Sequence, residues 1–342
     1  MRIVSLLTAL ACVLSCLPWQ GSFLLAQTAD SQLEDIFKQY LDKTFEMRPL
    51  DATMLGEHRM DHLLDDISAE ARQGWLRHLE QQLERLTSEL PVAQLSAAGK
   101  VDYEIFRDEL VRNIWLMQNT KPFEEDPRTY GSYINDSVYS LLTQSTLPKE
   151  KNIANALARM KEIPRIIATA RQTLNNPPKP ILETAILQNR GAIGFYEKGI
   201  FELAGQTPQL DSLKASAASV VDELKKYQEF LETDLLPRAD GEWRLGKEKF
   251  YRKLELVLDA GWDAERVLVE AEQEFSRVQR DMFVIARQLW SRYFPKDPLP
   301  PDDEAGRRST IALVTAAVSQ EHGRPEALIL DARSTVSSIQ KF

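Results

Sequence analysis

SQLEDIFKQYLDKTFEMRP, residues 31–49, decides the class of fold. Leu33, Ile36, Phe37, Tyr40, Leu41 and Phe45 recur at spacings of three and four, which stacks them on one face of a helix, and nothing in the stretch alternates with the period of a strand. Pro49 closes the helix, because its ring fixes φ and removes a backbone donor.

The same grammar repeats outward. Ser68 and Arg72 open a second helix whose stripe is Leu76, Leu79, Leu83 and Leu86, closing at Pro91. Ser96 starts a third, through Tyr103, Phe106, Leu110, Ile114 and Met117. A Pro-, Asp- and Tyr-rich stretch from Lys121 to Tyr133 reads as a loop able to contribute to a groove. Helices resume from Pro148 to about Leu174, from Ile181 to about Leu203 and from Pro208 to Pro237. A turn over 238–246 follows, where Asp240, Gly241 and Gly246 tolerate positive φ. Lys247 to Leu258 and Asp263 to Phe294 are two further helices. Pro295, Pro298, Pro300 and Pro301 form a stiff spacer read as a hinge or domain edge. The last elements run from Asp302 to about Gln320 and from Pro325 onward. The expected class is all-α, a multi-helix array, with no repeat of fixed period.

Composition narrows the function. Of 342 residues, 43% are apolar, enough for a sizeable core. Asp and Glu number 51 against 42 Lys and Arg, interleaved along the chain and not gathered into a basic stripe, which argues against nucleic acid as a partner. At the start, Arg2 precedes an apolar run from Ile3 to Leu17, broken by Pro18 and Gly21, with small and polar residues from Ala26. This is the pattern of a secretory signal peptide over 1–26, too short and too interrupted for a spanning anchor. The protein is expected to be exported, to the periplasm or the medium, with 27–342 as the mature part. Both cysteines, Cys12 and Cys16, lie within the leader, so cleavage near Ala26 removes every thiol. Val13-Leu14-Ser15-Cys16 loosely resembles a lipobox, in which Cys16 would carry a lipid anchor; the competing reading is a small apolar residue of the leader.

No complete catalytic motif is present. The histidines are His58, His62, His78 and His322, and none belongs to a His-Glu-x-x-His. His58 and His62 would share a helical face, but Arg59, Met60 and Asp61 between them supply no glutamate to activate a metal-bound water, so they read as surface or supporting histidines. There is no Gly-x-Ser-x-Gly and no Gly-rich phosphate loop. Gly191 and Gly194 read as close helix packing, Glu124, Glu125 and Asp126 as a solvated acidic loop, and His322 before Gly323 as a helix C-terminus. The densest candidate is the turn from Gly241 to Tyr251. There Trp243, Arg244, Lys247 and Tyr251 present aromatic rings and cations where a peptide could dock along a channel wall, unless Trp243 simply plugs the core.

Pro49-Leu50-Asp51-Ala52-Thr53-Met54-Leu55-Gly56, followed by His58, Asp61, Leu64, Asp66 and Ser68, resembles the N-terminal signature of the bacterial family called domain of unknown function 885. Trp243-Arg244-Leu245-Gly246-Lys247-Glu248 with Phe250, and Ala271-Glu272-Gln273-Glu274-Phe275 to Met282, resemble its middle section. The resemblance implies one half of a channel-type helical zinc metallopeptidase, similar in layout to gluzincin carboxypeptidases and dipeptidases. Its zinc motif belongs to the C-terminal half of the family's length. Zinc and a peptide substrate are therefore implied for the full-length form, and no metal ligand or catalytic residue carries over to this chain. The final helix keeps its apolar spacing through Val336, Ile339 and Phe342 without a cap, so the sequence is expected to stop short of a missing C-terminal half. The rival expectation is a periplasmic helical peptide-binding or scaffold protein without catalysis. An unfamiliar hydrolase built on paired carboxylates is a third.

Overall fold

A computed structural model describes residues 17–258 and 261–341, with side chains from residue 28 onward. The expected leader lies outside the described residues for its first sixteen positions, and with it Cys12 and the lipidation reading of Cys16. Among the described residues every regular element is helical, and no helix is long and apolar enough to cross a membrane. The chain divides into two compact units, residues 1–257 and 258–342.

The first unit begins with a three-helix bundle. Helix α1, Leu17–Met47, packs against α3, Ala69–Ser88, and α4, Ala97–Asn119, around Leu33, Ile36, Leu79, Leu86, Phe106 and Leu110. Between α1 and α3 sits the short α2, Pro49–Met54. The predicted caps form: Ser68 accepts from the Ala71 N–H and Ser96 from the Gly99 N–H, satisfying donors that the first turn leaves orphaned. Gly99 leaves room for Asp30, since a Cβ there would meet Asp30 Oδ1 at 2.3 Å and push aside the oxygen that holds the Ser96 N–H at 3.1 Å.

The rest of the unit is a second helical layer. The stretch from Lys121 to Tyr133 is not the loop that its composition suggested. Pro122 and the Asp126 side chain nucleate two short turns, α5 Pro122–Glu125 and α6 Thr129–Gly131, which lead through a π-turn, Ser132–Asp136, into α7, Ser137–Thr143. The helix expected from Pro148 to Leu174 is two, α8 Lys149–Met160 and α9 Ile163–Thr173, because Pro164 belongs in a first turn, where its missing N–H costs nothing. Helices α10, Lys179–Gly194, and α12, Leu210–Glu229, each run into a π-turn, Phe195–Gly199 and Phe230–Leu235, and α11, Ile200–Ala204, closes on Gly205 at φ +53°. Their core gathers Tyr130, Leu141, Ile163, Tyr196, Leu224 and Leu231. Helix α13, Lys247–Leu258, follows the expected turn.

In the second unit, α14 (Ala264–Tyr293) and α15 (Glu304–Val318) start at Asp263 and Asp303 caps and pack around Ala286, Trp290 and Val314; α16 is Leu328–Gln340. The proline spacer is neither hinge nor boundary. It lies inside this unit, where Trp290 Nε1 donates to the Asp297 carbonyl at 3.0 Å and the Pro301 carbonyl abuts Gly306.

Candidate functional site

The site is built on residues 48–67, which are held chiefly by the guanidinium of Arg159, with Arg165 Nη2 donating to the Asp65 carbonyl at 3.0 Å. Arg159 on α8 is wholly buried, yet all of its reach is satisfied: Nε donates to the Leu63 carbonyl at 2.9 Å, Nη1 to the Ser137 carbonyl at 2.8 Å, and Nη2 to Thr53 Oγ1 and, at 3.4 Å, to the Pro49 carbonyl. Burial pulls its pKa down to about 10 against the opposing pull of Asp61 and Asp65, so it remains a cation at neutral pH. Thr53 in turn donates to Asp61 Oδ1 at 2.7 Å. Asp65 accepts the Leu50 N–H at 2.9 Å and so anchors the first turn of α2.

This segment forms one wall of a cleft of about 910 Å³, whose other walls come from α1, α3, α4 and the Pro122–Tyr133 turns. Its lining is mainly apolar. Leu41, Met54, Leu55 and Leu63 stand 41%, 60%, 69% and 41% exposed on it, an unusual concentration of large apolar side chains facing water. Two arginines interrupt that surface. Arg48 pairs with Asp51 at 2.6 Å and lies 5.6 Å from the centre of the Trp75 ring. Arg72 donates to Glu124 at 2.8 Å and lies 4.6 Å over Phe123, while its Nε is buried without a hydrogen-bond partner. Each cation is thus braced by a ring and a carboxylate, at little further entropic cost on meeting a ligand. Burial raises Asp65 to about 6, opposed by the Leu50 N–H and Arg48, and raises the Tyr133 phenol to about 12. A perturbed carboxyl in a cleft with convergent polar groups is the usual physical mark of a binding site.

The stretch over 121–133 does contribute to the groove, through Pro122, Phe123 and Tyr133, but the candidate residues of the 241–251 turn lie elsewhere. Trp243 is 58% exposed, so it does not plug a core. Arg244 lies 4.2 Å over its ring and Lys247 lies 5.1 Å over Tyr251, a surface cluster that does not line the 910 Å³ cleft. Glu124 and Asp126 are engaged by Arg72 and Arg128. His58 and His62 do not share a helical face, because the segment is a single 3-10 turn, His58–Met60. His62 is exposed, and both ring nitrogens of His58 are occupied, Nδ1 by Asp61 at 2.9 Å and Nε2 by Thr146 at 3.1 Å. Among the described residues no group of three or more His, Cys, Asp or Glu is placed to hold a metal.

Sequence reasoning missed Arg48, Asp65, Arg72 and Arg159. Arg72 was read only as part of a helix start. Arg159 lies on a helix that buries Asn152 and Asn155 as well as Ile153, Ala156 and Met160, and nothing local tells a buried arginine from a surface one.

A family model described as a bacterial protein of unknown function (DUF885) matches residues 49–342. Among solved structures the chain is similar to a Shewanella oneidensis protein of unknown function, described as a lipoprotein, with a TM-score of 0.70 and 21% identity over 90% of this chain. The chain spans 56% of the length of that protein. No curated protein matches it.

Proposed function

The chain belongs to the DUF885 family, and on that premise we propose that it supplies the substrate-binding helical half of an exported peptidase. Its cleft takes an extended peptide, and bond cleavage falls to residues outside those described. The observation that carries this reading is the wall of Leu41, Met54, Leu55 and Leu63 beside two braced arginines. Exposed leucine and methionine receive varied apolar side chains with little shape selection, while Arg48 and Arg72 offer donors to backbone carbonyls or a terminal carboxylate. Export is supported by the leader-like start of the sequence and by the lipoprotein description of the Shewanella oneidensis protein. The channel-type layout and the zinc belong to the same proposal: the metal would be held by the other half, facing the bound peptide.

The test is a titration of residues 27–342 with a fluorescent leucine-rich decapeptide, followed by anisotropy, with and without zinc. Saturable binding that is weakened by Leu55→Glu, and no peptide turnover in either condition, is the expected result. Tight stoichiometric zinc with turnover would overturn the division of labour, and binding indifferent to Leu55→Glu would overturn the cleft. A decapeptide that binds and is never cleaved, even after every longer form of the gene product has been assayed, would favour a binding protein that needs no catalysis.

A further inference from the structure

We propose that Thr146, His58 and Asp61 form a second, chemically distinct site: a hydroxyl nucleophile with its base and orienting carboxylate, able to take the acyl group of a small activated ester. The proposal does not depend on the peptide cleft. Thr146 lies in the connection between α7 and α8, exposed to solvent, and its Oγ1 is 3.1 Å from His58 Nε2 across 88 positions of sequence. The other imidazole nitrogen, Nδ1, is 2.9 Å from Asp61 Oδ2. Asp61 is fully buried, and its second oxygen accepts from Thr53, whose own oxygen accepts from Arg159.

One placement of the protons fits that chain of contacts. An ionised carboxylate only accepts, so Asp61 selects the tautomer with hydrogen on Nδ1 and leaves Nε2 as the acceptor for the Thr146 hydroxyl. A contact that merely tied the 144–148 connection to the 57–61 turn would need one hydrogen bond. Here the imidazole is backed by a buried carboxylate that is itself held in place, the arrangement in which a neutral histidine takes a hydroxyl proton and the resulting imidazolium is stabilised. A tie needs no basic nitrogen at position 58, whereas taking the hydroxyl proton does.

The step balances within the three side chains. Thr146 Oγ1 attacks the ester carbonyl carbon, its proton passes to His58 Nε2, and the C–O bond to the alcohol breaks as that alcohol leaves with the proton. Water then attacks the threonyl ester, giving a proton to Nε2; the C–Oγ1 bond breaks, the carboxylic acid departs, and the proton returns to Oγ1. Thr146 stands in the open and its flanking residues Ser145 and Leu147 are only partly buried, so the class of substrate is an uncharged ester with a short acyl chain and a good leaving group.

An alkyl fluorophosphonate reports the nucleophile directly, since Oγ1–P bond formation expels fluoride and leaves a stable adduct. Incubation of the purified chain is expected to give one adduct, placed on Thr146 by peptide mass spectrometry, with p-nitrophenyl acetate turnover blocked in the same sample. Thr146→Val should abolish both signals, Thr146→Ser should keep or quicken them, and His58→Gln should slow them about a hundredfold, the range that a positioned general base contributes. No adduct at millimolar reagent, an adduct elsewhere, or labelling that His58→Gln leaves at the original rate would overturn the proposal. Circular dichroism checks each variant's fold; should His58→Gln unfold, the Val and Ser pair at the exposed position 146 still decides.

Discussion

Asp65 makes stability depend on pH in a direction opposite to that of most carboxylates. Its side chain is 4% exposed, and burial lifts its pKa from the ordinary 3.8 to about 6 in the folded protein, the Leu50 N–H and Arg48 opposing. At pH values between these two the unfolded chain has released the proton and the folded one still holds it, so stability must fall as pH rises. The contribution is fully present below 3.8 and is lost as pH passes through about 6; the gap between the two values corresponds to about 3 kcal/mol. Asp65→Asn keeps an oxygen for the Leu50 N–H and cannot titrate. Urea melts of both proteins at intervals from pH 4 to pH 7.5 should show the native protein losing about 3 kcal/mol relative to the variant across that window. Other carboxyls titrate in both proteins and cancel in the difference. Curves that run parallel would refute the reasoning, and a native protein that gains on the variant with rising pH would show that Arg48 and Arg159 outweigh the cost of burial.

Arg159→Met should destabilise by about 3–5 kcal/mol in denaturant melts, because it removes the charge that opposes buried Asp61 and the donor to the carbonyls of Leu63 and Ser137. Gly99→Ala should lower stability by about 1 kcal/mol despite the better helix propensity of alanine, since the new methyl displaces Asp30 from the Ser96 N–H; a stabilised variant would mean that Asp30 swings aside without loss. Leu55→Glu, at a residue 69% exposed, should leave the melting temperature within about 1 °C while weakening peptide binding about tenfold or more.

What was legible in the sequence followed periodicity and punctuation. The stripes of α1, α3 and α4 and the Ser68, Ser96 and Asp263 starts could be placed to within a few residues, since an apolar face and a capping hydroxyl are local properties. The Lys121 to Tyr133 stretch was misjudged because proline and aspartate signal a helical first turn as readily as a loop, and the π-turns carry no residue signature of their own. The candidate site failed for another reason. Trp243 and Arg244 were conspicuous in composition, whereas Arg48, Arg72 and Asp65 acquire their character only from what surrounds them: a ring beneath a guanidinium, or the removal of water from a carboxyl. From sequence His58 pairs with His62, Asp61 enters only as an intervening residue, and the third member of the set lies far along the chain at Thr146, a distance no motif search bridges.

The stretch that carries the family resemblance does its work as scaffold. Pro49 begins α2 and offers its carbonyl to Arg159; Thr53 and Asp61 hold one another; Leu55 and Leu64 line the cleft; Ser68 starts α3. These roles converge on holding residues 48–67 with Leu50, Leu64 and Ile67 in the core and Met54, Leu55 and Leu63 outward, against the tendency of such a segment to turn the latter in. Arg159 opposes that collapse, since inverting the segment would bury two leucines, a return of roughly 2 kcal/mol each, only by abandoning a buried guanidinium with its acceptors, a loss of the same order. A methionine at position 159 should therefore do more than destabilise. It should let Leu55 and Leu63 fold inward, so that fluorescent-peptide affinity falls together with stability, whereas Leu79→Ala, a cavity in the bundle core costing about 2–5 kcal/mol, should lower stability alone. Equal loss of peptide affinity in both variants would show that the cleft responds to stability in general and owes nothing particular to Arg159.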